Sequence, residues 1–173
     1  MRKVEIENLS NTYLVRRLSS NDVDAVFDLC SKNSLYYQYC PPFITRSGII
    51  EDMEALPPGK SQNDKFFLGY YENGSLIAII DLIMEYPDTQ TAYIGLFMTD
   101  TNVQGKGVGS AIIDELCIWL DKMEFQRVEL AWVKGNPQSE KFWIKTDLYQ
   151  LESEAAMLLN MLLQQNVNYS KQA

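Results

Sequence analysis

The chain has 173 residues, 46% of them hydrophobic, with 15 Lys+Arg against 23 Asp+Glu, a formal net charge of −8 and no histidine. That length suits one domain with a sizeable buried core, expected to span residues 1–173 with a flexible polar tail at 164–173. The missing histidine excludes Ser-His-Asp and Cys-His catalysis and any His-containing zinc site, and the acidity argues against a nucleic-acid partner.

The N-terminus, MRKVEIENLS, lacks the apolar core of a signal peptide. No stretch approaches the roughly 20 apolar residues that span a bilayer. The expected address is therefore the cytoplasm, with no membrane partner. Cys30, Cys40 and Cys117 show no C-x-x-C spacing, which predicts reduced, partly buried thiols and no metal site.

Residues 13–18, YLVRRL, alternate as a first strand. SSNDVDAVFDLCSKN then reads as a helix, capped by Ser20 or Asn21, with Val23, Val26, Phe27 and Cys30 along one face. The stretch 34–42, SLYYQYCPP, is aromatic and ends in two prolines that stop any helix before them. Tyr36, Tyr37 and Tyr39 read either as plain packing or as the wall of an acceptor pocket. A further helix is expected over 46–56, closed by Pro57-Pro58-Gly59. Residues 65–71 and 76–84 read as strands joined by a hairpin turn at Glu72-Asn73-Gly74-Ser75.

The most informative stretch is 91–120, TAYIGLFMTDTNVQGKGVGSAIIDELCIWL. Tyr93 to Met98 read as a buried strand ending in a polar turn. After Gln104-Gly105-Lys106-Gly107-Val108-Gly109 comes a helix over 107–122, its face made by Ile112, Ile113, Leu116, Trp119 and Leu120. A strand passing through a glycine-rich turn into a helix leaves unpaired N–H groups at the positive end of the helix dipole, a phosphate-binding arrangement. A crossover of this size makes the next strand, 126–133, parallel to the central one. Asn136-Pro137 then signals a helix start, with Phe142 and Trp143 as bulky anchors over 138–145. Residues 148–163 favour a helix by local propensity.

The glycine loop does not fit G-x-x-x-x-G-K-[ST], because Lys106 precedes Gly107 and no Ser or Thr follows it. Nor does it fit G-x-G-x-x-G, because Gly105, Gly107 and Gly109 are spaced G-x-G-x-G. The pattern Q-x-x-G-x-G from Gln104 to Gly109 resembles the acyl-coenzyme A pyrophosphate loop of the GCN5-related N-acetyltransferase (GNAT) family. The resemblance covers roughly residues 13–145 and is strongest over 76–145, through TAYIGLFM, QGKGVGSA and GNPQSEKFW.

What the resemblance implies is an α/β (α+β) fold: a single domain with a mixed, mostly antiparallel central sheet flanked by helices, acyl-CoA N-acyltransferase-like, with a parallel strand pair splayed around the cofactor. It implies an N-acetyltransferase that moves acetyl from acetyl-CoA (coenzyme A) to a primary amine of a small molecule or peptide by direct attack. Backbone groups from Gly105 through Lys106, Gly107 and Val108 to Gly109 would hold the pyrophosphate, with the Gln104 side chain beside them. A backbone N–H of Phe97 or Met98 would stabilise the oxyanion. Asn136 would contact cofactor or acceptor, or act purely as a helix cap, and Trp143 would stand in the cofactor wedge. The family would also place a strand over 148–163, against local propensity.

The family's pattern is broken at the catalytic positions. Tyr93 occupies the slot of the usual glutamate base, and a phenol is a poor base at neutral pH. Among the nearby carboxylates, Asp81, Glu85 and Glu129, the strand-end position favours Glu85. Trp143 stands where the family's tyrosine acid normally is, leaving Tyr149 as the nearest substitute or the thiolate to leave unaided. Two rivals remain: a non-catalytic acyl-CoA binder, and a protein-interaction module on the same fold. The acceptor stays open, with Tyr36, Tyr37, Tyr39 and Tyr86 as candidate pocket walls, as does oligomeric state. A symmetric homodimer is the commonest assembly for small enzymes.

Overall fold

Among the described residues, the apolar alternation of the sequence becomes a five-stranded sheet in sequential order. Its strands are β1 (Leu14–Arg17), β2 (Lys65–Glu72), β3 (Ser75–Met84), β4 (Thr91–Thr99) and β5 (Arg127–Leu130). The first four pair antiparallel, and β5 lies parallel to β4. Short turns can only reverse a strand, whereas a helical crossover returns it in the same direction. The computed structural model describes residues 4–133 and 135–146. The expectations for the tail and for 148–163 lie outside those residues.

Helices cover both faces, and the period of two along the strands decides which side chain meets which layer. On one face Phe66, Leu68, Tyr70, Ile80, Leu82 and Ile94 pack with α4 (Val108–Lys122). On the other, Phe67, Ile79 and Met98 pack with α1 (Val23–Ser31) and α3 (Arg46–Glu54). The apolar stripe of α4 is the expected one: Ile112, Ile113, Leu116, Trp119 and Leu120 are buried. Each such aliphatic side chain contributes roughly 2 kcal/mol by leaving water.

Local chemistry sets the boundaries. Ser19, one residue before the expected pair, caps the 3-10 turn Ser20–Asp22 that leads into α1. Its side chain accepts from the N–H of Asn21 while the Asp22 carboxylate accepts from the N–H of Ser19, a reciprocal capping box. The aromatic stretch forms a short helix, α2 (Ser34–Tyr39), which ends before the prolines. Thr45 caps α3, its hydroxyl accepting from the N–H of Gly48 at 3.0 Å. Asn136 caps α5 (Pro137–Lys145), with Pro137 in its first turn. None of the three cysteines is in a disulfide, and Cys30 is buried.

The expected strand 126–133 is half as long as read, because it stops at Leu130. Its partner turns away there: the β4–β5 ladder runs from Thr91–Arg127 to Ile94–Leu130 and goes no further. A strand with no neighbour to bond loses its strand geometry, whatever its side-chain pattern.

Candidate active site

The divergence of β4 from β5 begins at a β-bulge. Asp81 on β3 faces Leu96, Leu82 faces Ile94, and Gly95 is left as the extra residue. The insertion shifts the side-chain phase, so that Phe97, rather than Leu96, joins Ile94 on the α4 face. Phe97 stacks on Phe142 at 5.6 Å between centroids and lies 6.0 Å from Trp143. Phe142 meets Trp143 edge to face at 4.9 Å. This aromatic trio floors a cleft of about 350 Å³ that also takes in Tyr36, Met98, Gln104, Gly105, Gly107 and Gly109. The cleft thus lies on the side of β4 where, past Ile94, no strand among the described residues pairs with it.

The three loop glycines do two different jobs. Gly105 and Gly107 have φ of 72° and 83°, a left-handed backbone, and a Cβ on either would meet nothing within 4 Å. Both therefore face open space. Gly107 is the N-cap of α4 and offers no side-chain acceptor. The first helical bond runs from the N–H of Ala111 to the carbonyl of Gly107 at 3.0 Å, so the amides of Val108, Gly109 and Ser110 precede the ladder. Gly109 serves packing: a Cβ there would sit 3.1 Å from the Phe142 ring. Lys106 is exposed, and Lys141 and Lys145 of α5 line the cleft.

Gln104 is engaged by the protein itself. Its amide nitrogen donates to Asn33 Oδ1 at 2.8 Å and to the carbonyl of Thr99 at 3.2 Å, and its oxygen accepts from Gln138 Nε2 at 3.1 Å. Asn33, buried at the start of α2, donates to the carbonyls of Leu29 and Thr99, both at 3.1 Å. The side chain thus ties the loop to α2, to the end of β4 and to α5. Neither Asn33 nor Gln138 carries a sequence signal for this role, since they lie 71 and 34 residues from Gln104. Beside them Asp100 accepts from Lys32 at 2.7 Å and from the N–H of Asn102 at 2.8 Å. Burial alone would raise its pKa, but these donors hold the carboxyl below the usual range.

The remaining expected residues separate. Asn136 is buried, and its side-chain oxygen accepts from the N–H groups of Gln138 and Ser139 at 3.1 and 3.3 Å, so that oxygen is committed to the helix cap. Trp143 is buried at the cleft floor. Tyr93 is buried against Tyr86, edge to face at 5.7 Å. Burial above all, then Tyr86 and the charges of Glu129 and Asp81, push its phenol up to about 12. Glu85 follows β3 at φ 55°, beyond Met84, which pairs with Ala92. That is the zipped end of β4, roughly 13 Å along the strand from the bulge. Tyr149 lies outside the described residues. Of the tyrosines weighed as a pocket wall, Tyr36 lines the cleft, Tyr37 packs on Tyr36 and Phe43, and Tyr86 sits with Tyr93.

Comparison with known proteins agrees with this geometry. The family model described as Acetyltransferase (GNAT) family matches residues 32–146. An acetyltransferase from Thermus thermophilus superposes with a TM-score of 0.67 at 15% identity, covering 79% of this chain and 86% of that one. PaiA N-acetyltransferase from Thermoplasma acidophilum, solved in complex with coenzyme A, gives a TM-score of 0.63 at 16% identity over 83% of this chain and 94% of that one. An aminoglycoside acetyltransferase from an uncultured soil metagenomic sample gives 0.57 at 19% identity, over 84% and 93% of the two chains. No curated protein matches the sequence. Among the described residues, no helix is long and apolar enough to cross a membrane.

Proposed function

The chain belongs to the Acetyltransferase (GNAT) family, whose fold uses acetyl-CoA, and from that premise we propose that it transfers acetyl from acetyl-CoA to a primary amine of a small molecule or peptide by direct attack. The observation that carries the reading is the open glycine cradle at the uncapped start of α4, beside the gap that begins after Ile94. The residues fit the group. Bare amides from Gly105 to Gly109 suit a diphosphate, Lys141 and Lys145 add positive charge in an otherwise acidic protein, and the aromatic floor suits an apolar arm.

Bound acetyl-CoA supplies an activated acyl group and a good leaving group. The protein's part is placement and charge stabilisation. Backbone N–H of Phe97 or Met98, fixed by the β3–β4 ladder, is the donor for the developing oxyanion and costs no reorganisation during reaction. Holding amine and thioester together contributes several kcal/mol more. The departing thiolate needs no dedicated acid, because a thiol titrates near neutrality compared with an alkoxide. Trp143 in the tyrosine slot is compatible with that.

The test is calorimetry with acetyl-CoA, followed by thiol release against polyamines, amino acids, aminoglycosides and peptides. Binding with turnover of at least one amine class supports the reading. Binding without turnover across all of them favours the non-catalytic acyl-CoA binder, and no binding at all favours an interaction module.

A further inference from the structure

At the bulge that opens the cleft, a carboxylate is waiting on the neighbouring strand. Asp81 of β3 lies against Gly95: a Cβ on that glycine would sit 3.1 Å from Asp81 Oδ2. Gly95 is exposed, so the carboxylate lies one glycine's thickness below the surface, at the level where β4 parts from β5. Oδ2 accepts from the buried Lys65 at 2.8 Å, and Lys65 also donates to the carbonyl of Ala55 at 2.8 Å. Oδ1 is buried and has no hydrogen-bond partner among the described residues. A buried carboxylate oxygen left bare costs free energy unless something visits it. A protonated amine, with three N–H donors, has the complementary chemistry.

We propose that Asp81 receives the acceptor's proton: its carboxylate, with Oδ2 against Gly95, takes a proton from the incoming ammonium, while Lys65 on Oδ2 is a positioning residue and Asp52 on α3 draws the cation to that face. This rests on the acetyltransferase reading and assigns its base and the protonation state of its substrate. The ammonium loses one proton to the Asp81 carboxylate, and the neutral amine forms the C–N bond. The C–S bond breaks, the second N–H proton goes to the departing thiolate, and Asp81 returns its own proton to solvent. Charge and protons balance without a further reactant.

The charged and titratable groups around Asp81 are Lys65 from β2, Asp52 from α3 and Tyr93 from β4. Burial raises the Asp81 pKa, and the Lys65 charge and hydrogen bond work against that rise. Asp52, on the exposed side of α3, is pushed up to about 6 by desolvation and then by the charge of Asp81. A carboxylate moved from its ordinary range toward neutrality is a better-matched base for an amine than an unperturbed one. The placement also distinguishes Asp81, at the bulge within the β3–β4 ladder, from Glu85, beyond its Met84–Ala92 end.

The test uses the full chain labelled with 13C at aspartate Cγ, with the Asp81 signal assigned by its loss in Asp81→Asn. Methylammonium is the probe, added with coenzyme A present. The proposal expects an Asp81 signal that titrates above the usual carboxylate value of about 3.9, is ionised near neutrality and shifts on addition of methylammonium, while that of Asp88 does not. In thiol release with the fastest amine of the panel, Asp81→Asn lowers kcat by on the order of a hundredfold with acetyl-CoA affinity kept. Lys65→Met moves the acid limb of the pH profile upward, a shift that a purely structural role would not cause. An Asp81 signal indifferent to methylammonium, or an acid limb removed by Glu85→Gln and kept in Asp81→Asn, overturns the proposal. Because Asp81→Asn also strips Lys65 of its counter-charge and lowers stability, the wild-type titration carries independent weight. Failure of acetyl-CoA to bind strikes the proposed function instead, and the Asp81 response is read whether or not it binds.

Discussion

The two ends of the β4–β5 pair are made of different chemistry, and the contrast explains where a ligand can enter. At the closed end, the Arg127 guanidinium meets Asp88 at 2.6 Å and Thr91 Oγ1 at 3.2 Å, and the Gln90 carbonyl accepts from the N–H groups of Gln126 and Arg127 at 2.9 and 3.2 Å. At the open end no ladder continues past Ile94 and Leu130, and aromatic rings with a side-chain amide network span the space. Backbone pairing seals; packed rings hold a shape and leave room. One pair of strands is therefore at once a staple and a socket.

The contrast breaks hardest at Gly107. Asp there retains an N-cap preference while placing a charge and a side chain in a left-handed position that opens onto the cradle. Gly107→Asp is expected to lower acetyl-CoA affinity by on the order of a hundredfold or more, measured by calorimetry, with a stability change of only about 1 kcal/mol. A large loss of stability with binding retained would assign the glycine to folding alone.

Next in size is Trp143→Ala, which removes a buried ring from the cleft floor. It is expected to cost about 3 kcal/mol in denaturant unfolding and to weaken acetyl-CoA binding as Phe97 and Phe142 lose their support. Gln104→Ala removes three hydrogen bonds that pin the loop to α2, β4 and α5. The expected destabilisation is about 1 kcal/mol, with a comparable fall in acetyl-CoA affinity. A variant that binds normally would show that the glycine loop is set by its own backbone.

The smallest effect belongs to the closed end and sharpens the contrast through pH. Asp88 is held below the usual carboxylate range first by the N–H of Gln90, then by the Thr91 hydroxyl and Arg127, against a smaller desolvation effect. A depressed folded pKa contributes stability that is present above the unfolded value of about 3.9 and is lost as pH falls through the folded one. Amide protection factors at Val128 and Glu129 are therefore expected to fall on acidification through that window, and Asp88→Asn to flatten the dependence.

Much of this was legible in the sequence because it depends on local rules. The stripe Ile112, Ile113, Leu116, Trp119, Leu120 has helical spacing and is buried as spacing requires. The Asn73-Gly74 turn, the Asn136-Pro137 start and the glycine loop are likewise written in short runs. What could not be read there depends on tertiary neighbours. The residues Ala131, Trp132 and Val133 continue the alternation of β5 and still leave the strand, because their partner bends away at Gly95. Asp81, Glu85 and Glu129 read alike in the sequence, and only strand register sets Asp81 against the exposed Gly95 at the bulge and Glu85 beyond the zipped end. Asn33, Gln104 and Gln138 meet only because three separate elements converge.

The most direct measurement is a backbone amide titration of the full chain with acetyl-CoA. The account predicts large shifts and slowed exchange at Gly105, Lys106, Gly107, Val108 and Gly109 and along Gly95–Met98, with Thr91–Ile94 and Arg127–Leu130 unchanged. Perturbation concentrated at the zipped residues, or none at the glycine loop at saturating ligand, would contradict it.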